Sequence, residues 1–430
     1  MNSVNFPRVL RIVKKKILLA VGTFSFRPPN ILKILWALLL LYGEILCFYL
    51  AIWSCTWPTL SHWTLPQGKT PIRLALIADP QITDAYSYKQ HGFILRLVEF
   101  YTDIYMKRTY RILQSQMEPQ VIFYLGDLFD GGREWEDKAW FEEYDRFSSV
   151  FSTVKSSTYL FSVAGNHDIG FGKSTVPHAY DRFIDKFGEI NYSVNIGNHS
   201  IVVLNTMALN GGSEKYAREA QALIEKSKDT LLPKVLITHV PLYRPDTATC
   251  GPLRNGPTPI HQGKGYQFQN LIEKDPSNLI LNGVKPVLIL SGDDHDQCEH
   301  VHHYKGGAAV EHTIGTFSWA QGNSIPSFGL LSLHNPDGAE TQSPEESFAL
   351  DICLLPNQLT IYLMYIVALV WSIIIILVHL MREYKLNSNL YGDSKRSKCI
   401  SLLKEFFSTL AEVAFTAICV YIFCIIWFVI

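Results

Sequence analysis

Five short blocks hold the residues with the types and spacing for chemistry: Asp79-Pro80-Gln81, Gly126-Asp127-Leu128-Phe129-Asp130, Gly165-Asn166-His167-Asp168, His239, and Gly292-Asp293-Asp294-His295. An isolated Asp or His usually caps a helix, solvates a surface or sits satisfied in a core. Five blocks in order, each placed directly after a short apolar run, instead gather hard carboxylate and amide oxygens with imidazole nitrogens, the donors that divalent cations prefer. The pattern points to a two-metal site.

The elements that must position these blocks are readable from the same stretches. Residues 73–78, 121–125, 159–164, 201–204, 234–238 and 287–290 are apolar almost throughout and β-rich, and they predict strands buried on both faces. Residues 93–116 have helical spacing, with Leu97, Phe100, Ile104 and Ile112 on one face. Strands alternating with helices, and functional groups at strand ends, predict a layered α/β domain over residues 70–355 with its site along one sheet edge. Glycines 126, 165 and 292 let the backbone approach the metals closely.

Outside that domain the chain, 430 residues with 48% hydrophobic and 18% charged residues, is too apolar for an ordinary soluble protein. Three segments, 34–53, 359–380 and 413–430, are long and apolar enough to cross a bilayer, which takes about 20 residues. The first reads as an uncleaved signal anchor and the stretch Ile17 to Phe26 as interfacial. Glu44 inside the first span predicts a polar contact at a helix interface, or a protonated or snorkelling carboxyl. Arg8, Arg11, Lys14, Lys15, Lys16, Arg27 and Lys33 place the tail, 1–33, in the cytosol. Arg382, Lys385, Lys395, Arg396, Lys398 and Lys404 do the same for the loop 381–412. Three crossings then set the domain in a lumen or outside the cell, where the sequons at Asn191 and Asn198 become usable. An oxidising lumen would suit a disulfide between Cys250 and Cys298, with Cys353 left over; buried free thiols are the equal alternative. Residues 70–355 carry 24 Lys+Arg against 34 Asp+Glu, an acidic balance that argues against nucleic acid as a partner. Abundant aromatics and the lack of low-complexity runs exclude disorder over most of the chain.

The five blocks resemble the calcineurin-like metallophosphoesterases, whose pattern reads D-x-H, G-D-x-x-D, G-N-H-[DE], a lone His, then G-H-x-H. The resemblance implies a β-sandwich flanked by helices, with Asp79, Asp127 and His295 on one metal and Asp127, Asn166, His239 and Asp293 on the other. Gln81 replaces the first-motif His, as a weak ligand or a hydrogen-bond donor, and Asp293 replaces an imidazole with a harder anion that favours Mn²⁺ or Mg²⁺ over Zn²⁺. His167 would protonate the leaving group with Asp168 orienting its ring, and Arg244 or Arg133 would clamp a phosphate oxygen or else be a solvated surface arginine. His300, His302 and His303 are expected to face solvent or the cleft rather than bind metal.

Ala78 to Gln81, Tyr105-Met106-Lys107-Arg108, Gly126 to Arg133, His239 to Arg244, and Cys298-Glu299 before Thr316-Phe317-Ser318-Trp319 are similar to a membrane-bound endoplasmic-reticulum branch, in its fungal form. That similarity implies removal of an ethanolamine-phosphate side branch from glycosylphosphatidylinositol (GPI) mannose with two divalent ions, most simply Mn²⁺. It further implies GPI-anchored proteins as substrates, the bilayer and cargo receptors as partners, and support of export, possible cycling to the Golgi included. The alternatives are a degenerate phosphoesterase that only binds the glycan or cargo, and a phosphomonoesterase or nucleotide phosphodiesterase of the same fold.

Overall fold

The computed structural model describes residues 27–63, 70–88, 92–153, 157–211, 213–334, 343–386 and 395–429. The interfacial stretch expected at Ile17 to Phe26 lies outside them. The chain divides into two compact units, one made of residues up to Cys47 with Leu359 onward, the other of Phe48–Gln358.

The larger unit is built on two sheets. Strands β1 (Ile72–Ile77), β2 (Val121–Tyr124), β3 (Tyr159–Ser162), β12 (Ser327–Leu333) and β13 (Phe348–Leu354) form the first, in the order β13-β12-β1-β2-β3. The second has the order β10-β11-β9-β6-β5-β4, from β4 (Tyr192–Ile196), β5 (His199–Val203), β6 (Lys234–Ile237), β9 (Leu288–Ser291), β10 (Cys298–Tyr304) and β11 (Gly307–Thr313). A short hairpin, β7 (Lys264–Gly265) with β8 (Phe268–Gln269), stands apart. Alternate residues of each sheet meet in the middle, Leu74, Leu76, Val121 and Phe123 from one and Ile201, Val203, Val235, Ile237, Leu288 and Leu290 from the other. The residues between them, such as Ala75, Ile122, Val202, Leu236 and Ile289, are equally buried, which is why these strands read as continuous apolar runs. Six of the expected strands are present within two or three residues of their expected bounds, and the α/β sandwich stands as expected.

β1, β2 and β3 run parallel, as do β5, β6, β9 and β11. Each parallel strand delivers its C-terminal end to the same side of its sheet, so the blocks following β1, β2, β3, β6 and β9 converge. The helices of this unit include α2 (Gly92–Gln116), α3 (Asp137–Val150) and the single turn α4 (Asn166–Ile169). On α2 the expected packing face is only half used: Ile104 and Ile112 are buried but Leu97 and Phe100 are exposed.

Two disulfides fasten this unit, Cys250–Cys298 and Cys55–Cys353. The second corrects the expectation that Cys353 is left over. Its partner lies just past the first apolar helix, in a segment the sequence offered only as the flank of a span.

In the other unit, α1 (Pro28–Trp53) ends beyond the unit boundary, and α5 (Gln358–Leu386) and α6 (Lys395–Val429) complete three helices of bilayer-spanning length and apolarity. They extend past the expected spans 34–53, 359–380 and 413–430, so the basic segment 381–412 is mostly helix end rather than loop; residues 387–394 lie outside the described set. Leu32, Ile376, Leu380 and Val413 pack together, Lys33 pairs with Glu412 at 2.8 Å, and Trp36 donates to Ser372 Oγ at 2.9 Å. Glu44 is buried in a π-helical turn, Tyr42–Leu46, and accepts from Tyr365 Oη at 2.8 Å. A side chain on Gly43 would run into that hydroxyl, so the glycine admits the polar contact that the carboxyl requires.

Candidate metal centre

The turns that follow the strands are tight. Asp79, Gln81, Asp127, Asp293 and His295 all hold positive φ, between 33° and 69°, a conformation that L-residues adopt at a cost and that clusters at functional sites. Gly165 is forced by proximity: a Cβ there would stand 2.0 Å from Asp127 Oδ1.

Asp79, Asp127 and His239 are buried, with one donor atom of each lying within 4.8 Å of the others. His239 Nδ1 donates to Leu125 O at 2.8 Å, which leaves the lone pair of Nε2 pointing inward. Facing that nitrogen are Asn166 Oδ1 at 3.1 Å, Asp127 Oδ1 at 3.2 Å and Asp293 Oδ1 at 3.5 Å. Asn166 is fixed in this orientation because its Nδ2 donates to Gln267 O at 3.0 Å. Four lone-pair donors thus converge, and a cation is the species that reconciles them. The electrostatics say the same: burial, together with Asp127 and Asp293, holds the Asp79 carboxyl up at about 7. Burial alone would depress the His239 imidazole, but Asp127, Asp293 and Asp79 drive it well above its usual range. This donor set fits a divalent metal.

On the other side Asp79 meets the ligand turn, with Asp293 N donating to both of its carboxylate oxygens at 3.1 Å. His295 Nδ1 lies 2.9 Å from Gln321 O, leaving Nε2 to coordinate. Gln81 donates through Nε2 to Asp127 Oδ2 at 2.9 Å, while its Oε1 is buried without a partner. That orphaned oxygen is what a weak first-site ligand would supply, so both uses expected of Gln81 are compatible with its position.

His167 lies against the cluster, its N donating to Asp127 Oδ1 at 2.9 Å. Its Nδ1 is 2.6 Å from Asp130 O and 3.1 Å from Asp130 Oδ1, so Nε2 is the ring nitrogen that Asp130 does not engage. Burial would lower this imidazole, but the Asp127 and Asp130 carboxylates hold it at about 9. Asp168 does not orient the ring, contrary to expectation: its carboxylate accepts from Leu128 N, Phe129 N and Gly165 N, closing the metal-bearing turns on each other. Asp130 has the orienting position.

Neither arginine is a phosphate clamp or a solvated surface group. Arg244 is fully buried between Glu311 Oε2 at 3.0 Å and Cys298 Sγ at 2.8 Å. Arg133 spends its guanidinium on Asn166 O at 2.9 Å, Tyr86 Oη at 3.0 Å and Glu134 at 3.1 Å. Both brace the framework. The guanidinium beside the ligand turn is Arg254, 2.5 Å from Asp294 Oδ2. Of the histidines on β10, His302 pairs with buried Glu311 at 2.6 Å, turned inward rather than to solvent.

A calcineurin-like phosphoesterase family model matches residues 72–297, more than half of the chain and all five blocks. The chain belongs to this family. Among its relatives, Cell division control protein 1 of Saccharomyces cerevisiae is 36% identical over 367 residues, covering 81% of this chain and 73% of the yeast protein. Metallophosphoesterase 1 of Ailuropoda melanoleuca is 29% identical over 83% of this chain and 90% of its own. The same protein in Macaca fascicularis is 30% identical over 79% and 87%. As a calcineurin-like phosphoesterase the chain is a metal-dependent hydrolase of phosphoric esters.

Proposed function

We propose that the chain is a two-metal, Mn²⁺-preferring phosphodiesterase of the endoplasmic-reticulum lumen that removes ethanolamine phosphate from a GPI-anchor mannose. GPI-anchored proteins are then its substrates, and export of those proteins, with or without cargo receptors, depends on it. The observation that carries the phosphodiesterase reading is His167, fixed by Asp130 beside Asp127 with Nε2 turned outward, where a leaving alkoxide would need a proton. The substrate assignment is supported by the motifs outside the metal ligands, Tyr105 to Arg108, Val240 to Arg244 and Thr316 to Trp319, that resemble those of the membrane-bound branch.

Two divalent ions held by the sets around Asp79 and His239 would supply a water of lowered pKa and offset the charge on the non-bridging oxygens. Asp127 stands between the sets and orders both Gln81 and His167 through its two oxygens. As the new oxygen–phosphorus bond forms and the phosphorus–mannose-oxygen bond breaks, His167 Nε2 gives its proton to the mannose oxygen, and Asp130 stabilises the ring. Asp293, a carboxylate where the family has imidazole, weights the second set toward Mn²⁺.

The test is full-length protein in detergent with Mn²⁺ and a GPI glycan bearing ethanolamine phosphate, followed by mass spectrometry. Loss of the whole ethanolamine phosphate from mannose is expected. Binding without release would make the protein a glycan-binding factor, and cleavage only of terminal phosphate a monoesterase.

Lumenal orientation carries its own prediction. Asn198 sits exposed in the turn between β4 and β5, whereas Asn191 engages Asn205 N at 2.9 Å and buries Nδ2, the atom a glycan would join. The two sequons expected together are therefore not equivalent. In cells, Asn198→Gln should remove an endoglycosidase-sensitive mass shift that Asn191→Gln leaves intact. A chain that carries no glycan at either position would count against the lumenal placement.

A further inference from the structure

Phe93, Leu97, Phe100 and Ile104 form one stripe on α2, since each residue of an α-helix turns about 100° from the last. Ile104 is buried, but Phe93 is 75% exposed, Ile94 at the stripe's edge 58%, Phe100 43% and Leu97 38%. Four adjacent large apolar side chains left bare mark a surface with something to cover them. Glu99, on the opposite side, turns to Arg146 at 3.8 Å.

What covers the other half of this helix identifies the occupant. Tyr105 packs its ring 5.3 Å from that of Phe48, and Arg108 lies 5.8 Å above the same ring. Further along, Gln116 Oε1 accepts from Trp53 Nε1 at 2.6 Å and Met117 O from Trp57 Nε1 at 2.8 Å. Phe48 and Trp53 belong to the last turns of α1, a helix of bilayer-spanning length, and Trp53 and Trp57 stand where interfacial indoles anchor such helices. Followed from Met117 back to Tyr105, the partner of α2 moves from Trp57 to Phe48, back along the last turns of α1. The bare stripe lies further along α2 in that direction, about 100° round the helix from Tyr105.

We propose that the first turns of α2, Phe93 to Phe100, insert into the interfacial layer of the bilayer that α1 enters, with lipid acyl chains covering the stripe. In sequence Phe93 follows Tyr88, the end of the loop that carries Asp79, by five residues, so the inserted helix limits how far the metal centre can stand from the lipid surface. The inference holds whichever phosphoester is cleaved.

The test uses the full chain in phosphatidylcholine vesicles, with Cys47, Cys399, Cys419 and Cys424 replaced by serine and both disulfides kept. One cysteine is introduced by Phe93→Cys or Leu97→Cys and labelled with a nitrobenzoxadiazole dye; Leu231→Cys, on a fully exposed side chain, is the control. Lipids brominated on the acyl chain should quench the dye at 93 and 97 severalfold more than at 231, and aqueous iodide severalfold less. Iodide quenching equal to the control would overturn the proposal. Protection from both quenchers would also overturn it, because protein rather than lipid would then cover the stripe.

Discussion

Asp127→Ala is expected to remove metal binding and hydrolysis together, with a larger loss than the roughly 10²–10⁴-fold that absence of a proton donor costs. Asp127 Oδ1 faces His239 Nε2 and takes the His167 N–H, while Oδ2 takes the Gln81 amide. Its deletion leaves Asp79 and Asp293 without the carboxylate that links their two donor sets, and leaves the His239 lone pair one oxygen short. Because the same side chain also organises the turn, Asp127→Asn is the sharper variant: it keeps the volume and one of the two accepted hydrogen bonds but withdraws the charge. Metal content measured by mass spectrometry and turnover on an aryl phosphodiester should both fall in Asp127→Asn while the thermal unfolding profile of the metal-free protein is retained. Undiminished turnover would eliminate the two-metal mechanism.

The second large effect depends on the leaving group. His167 borders the donor cluster through its backbone and presents Nε2 from a ring steadied by Asp130. A sugar alkoxide is a poor leaving group and needs a proton as the bond breaks, whereas a nitrophenolate departs readily without one. His167→Ala should therefore retain its metal, lose on the order of 10²–10⁴-fold in kcat/KM on an alkyl phosphodiester, and lose far less on an aryl one. Equal losses on both would assign His167 to holding a phosphoryl oxygen. Cellular rescue of anchored-protein export by an inactive His167→Ala chain would move the function from hydrolysis to binding.

Much of the donor cluster was legible because parallel strands do two things at once. They bury both faces, giving unbroken apolar runs, and they bring their C-terminal ends together, so the residue after each run announces itself. Asp79, Asp127, Asn166, His239 and Asp293 all stand at such ends. The parts that were not legible act through groups without a side-chain signature or through distant partners. Gln267 and Gln321 set Asn166 and His295 with backbone carbonyls, which any residue could supply. Arg244 looked like a clamp because its charge is visible in sequence and Glu311, which neutralises it in the interior, is not its neighbour in the chain. β10, Cys-Glu-His-Val-His-His-Tyr, alternates its burial at an edge and carries too many polar residues to read as a core strand. The stripe on α2 was legible as apolar; which half of it meets protein depends on where α1 ends.

The order of the first sheet bears on how the chain is made. Among the described residues β1 is the first strand to be synthesised, yet it lies inside the sheet, and its antiparallel partner is β12, with β12 in turn covered by β13. At about 5–20 residues per second, the roughly 250 residues between β1 and β12 take on the order of 12–50 s to emerge. Throughout that interval one edge of Ile72–Ile77 has no strand to pair with, and the turn presenting Asp79 lacks the Thr316 hydroxyl that later donates to its carbonyl at 2.8 Å. Until Ser327 emerges the nascent domain keeps an unpaired edge on β1, so a chain on a ribosome stalled before that point is expected to be prone to aggregation.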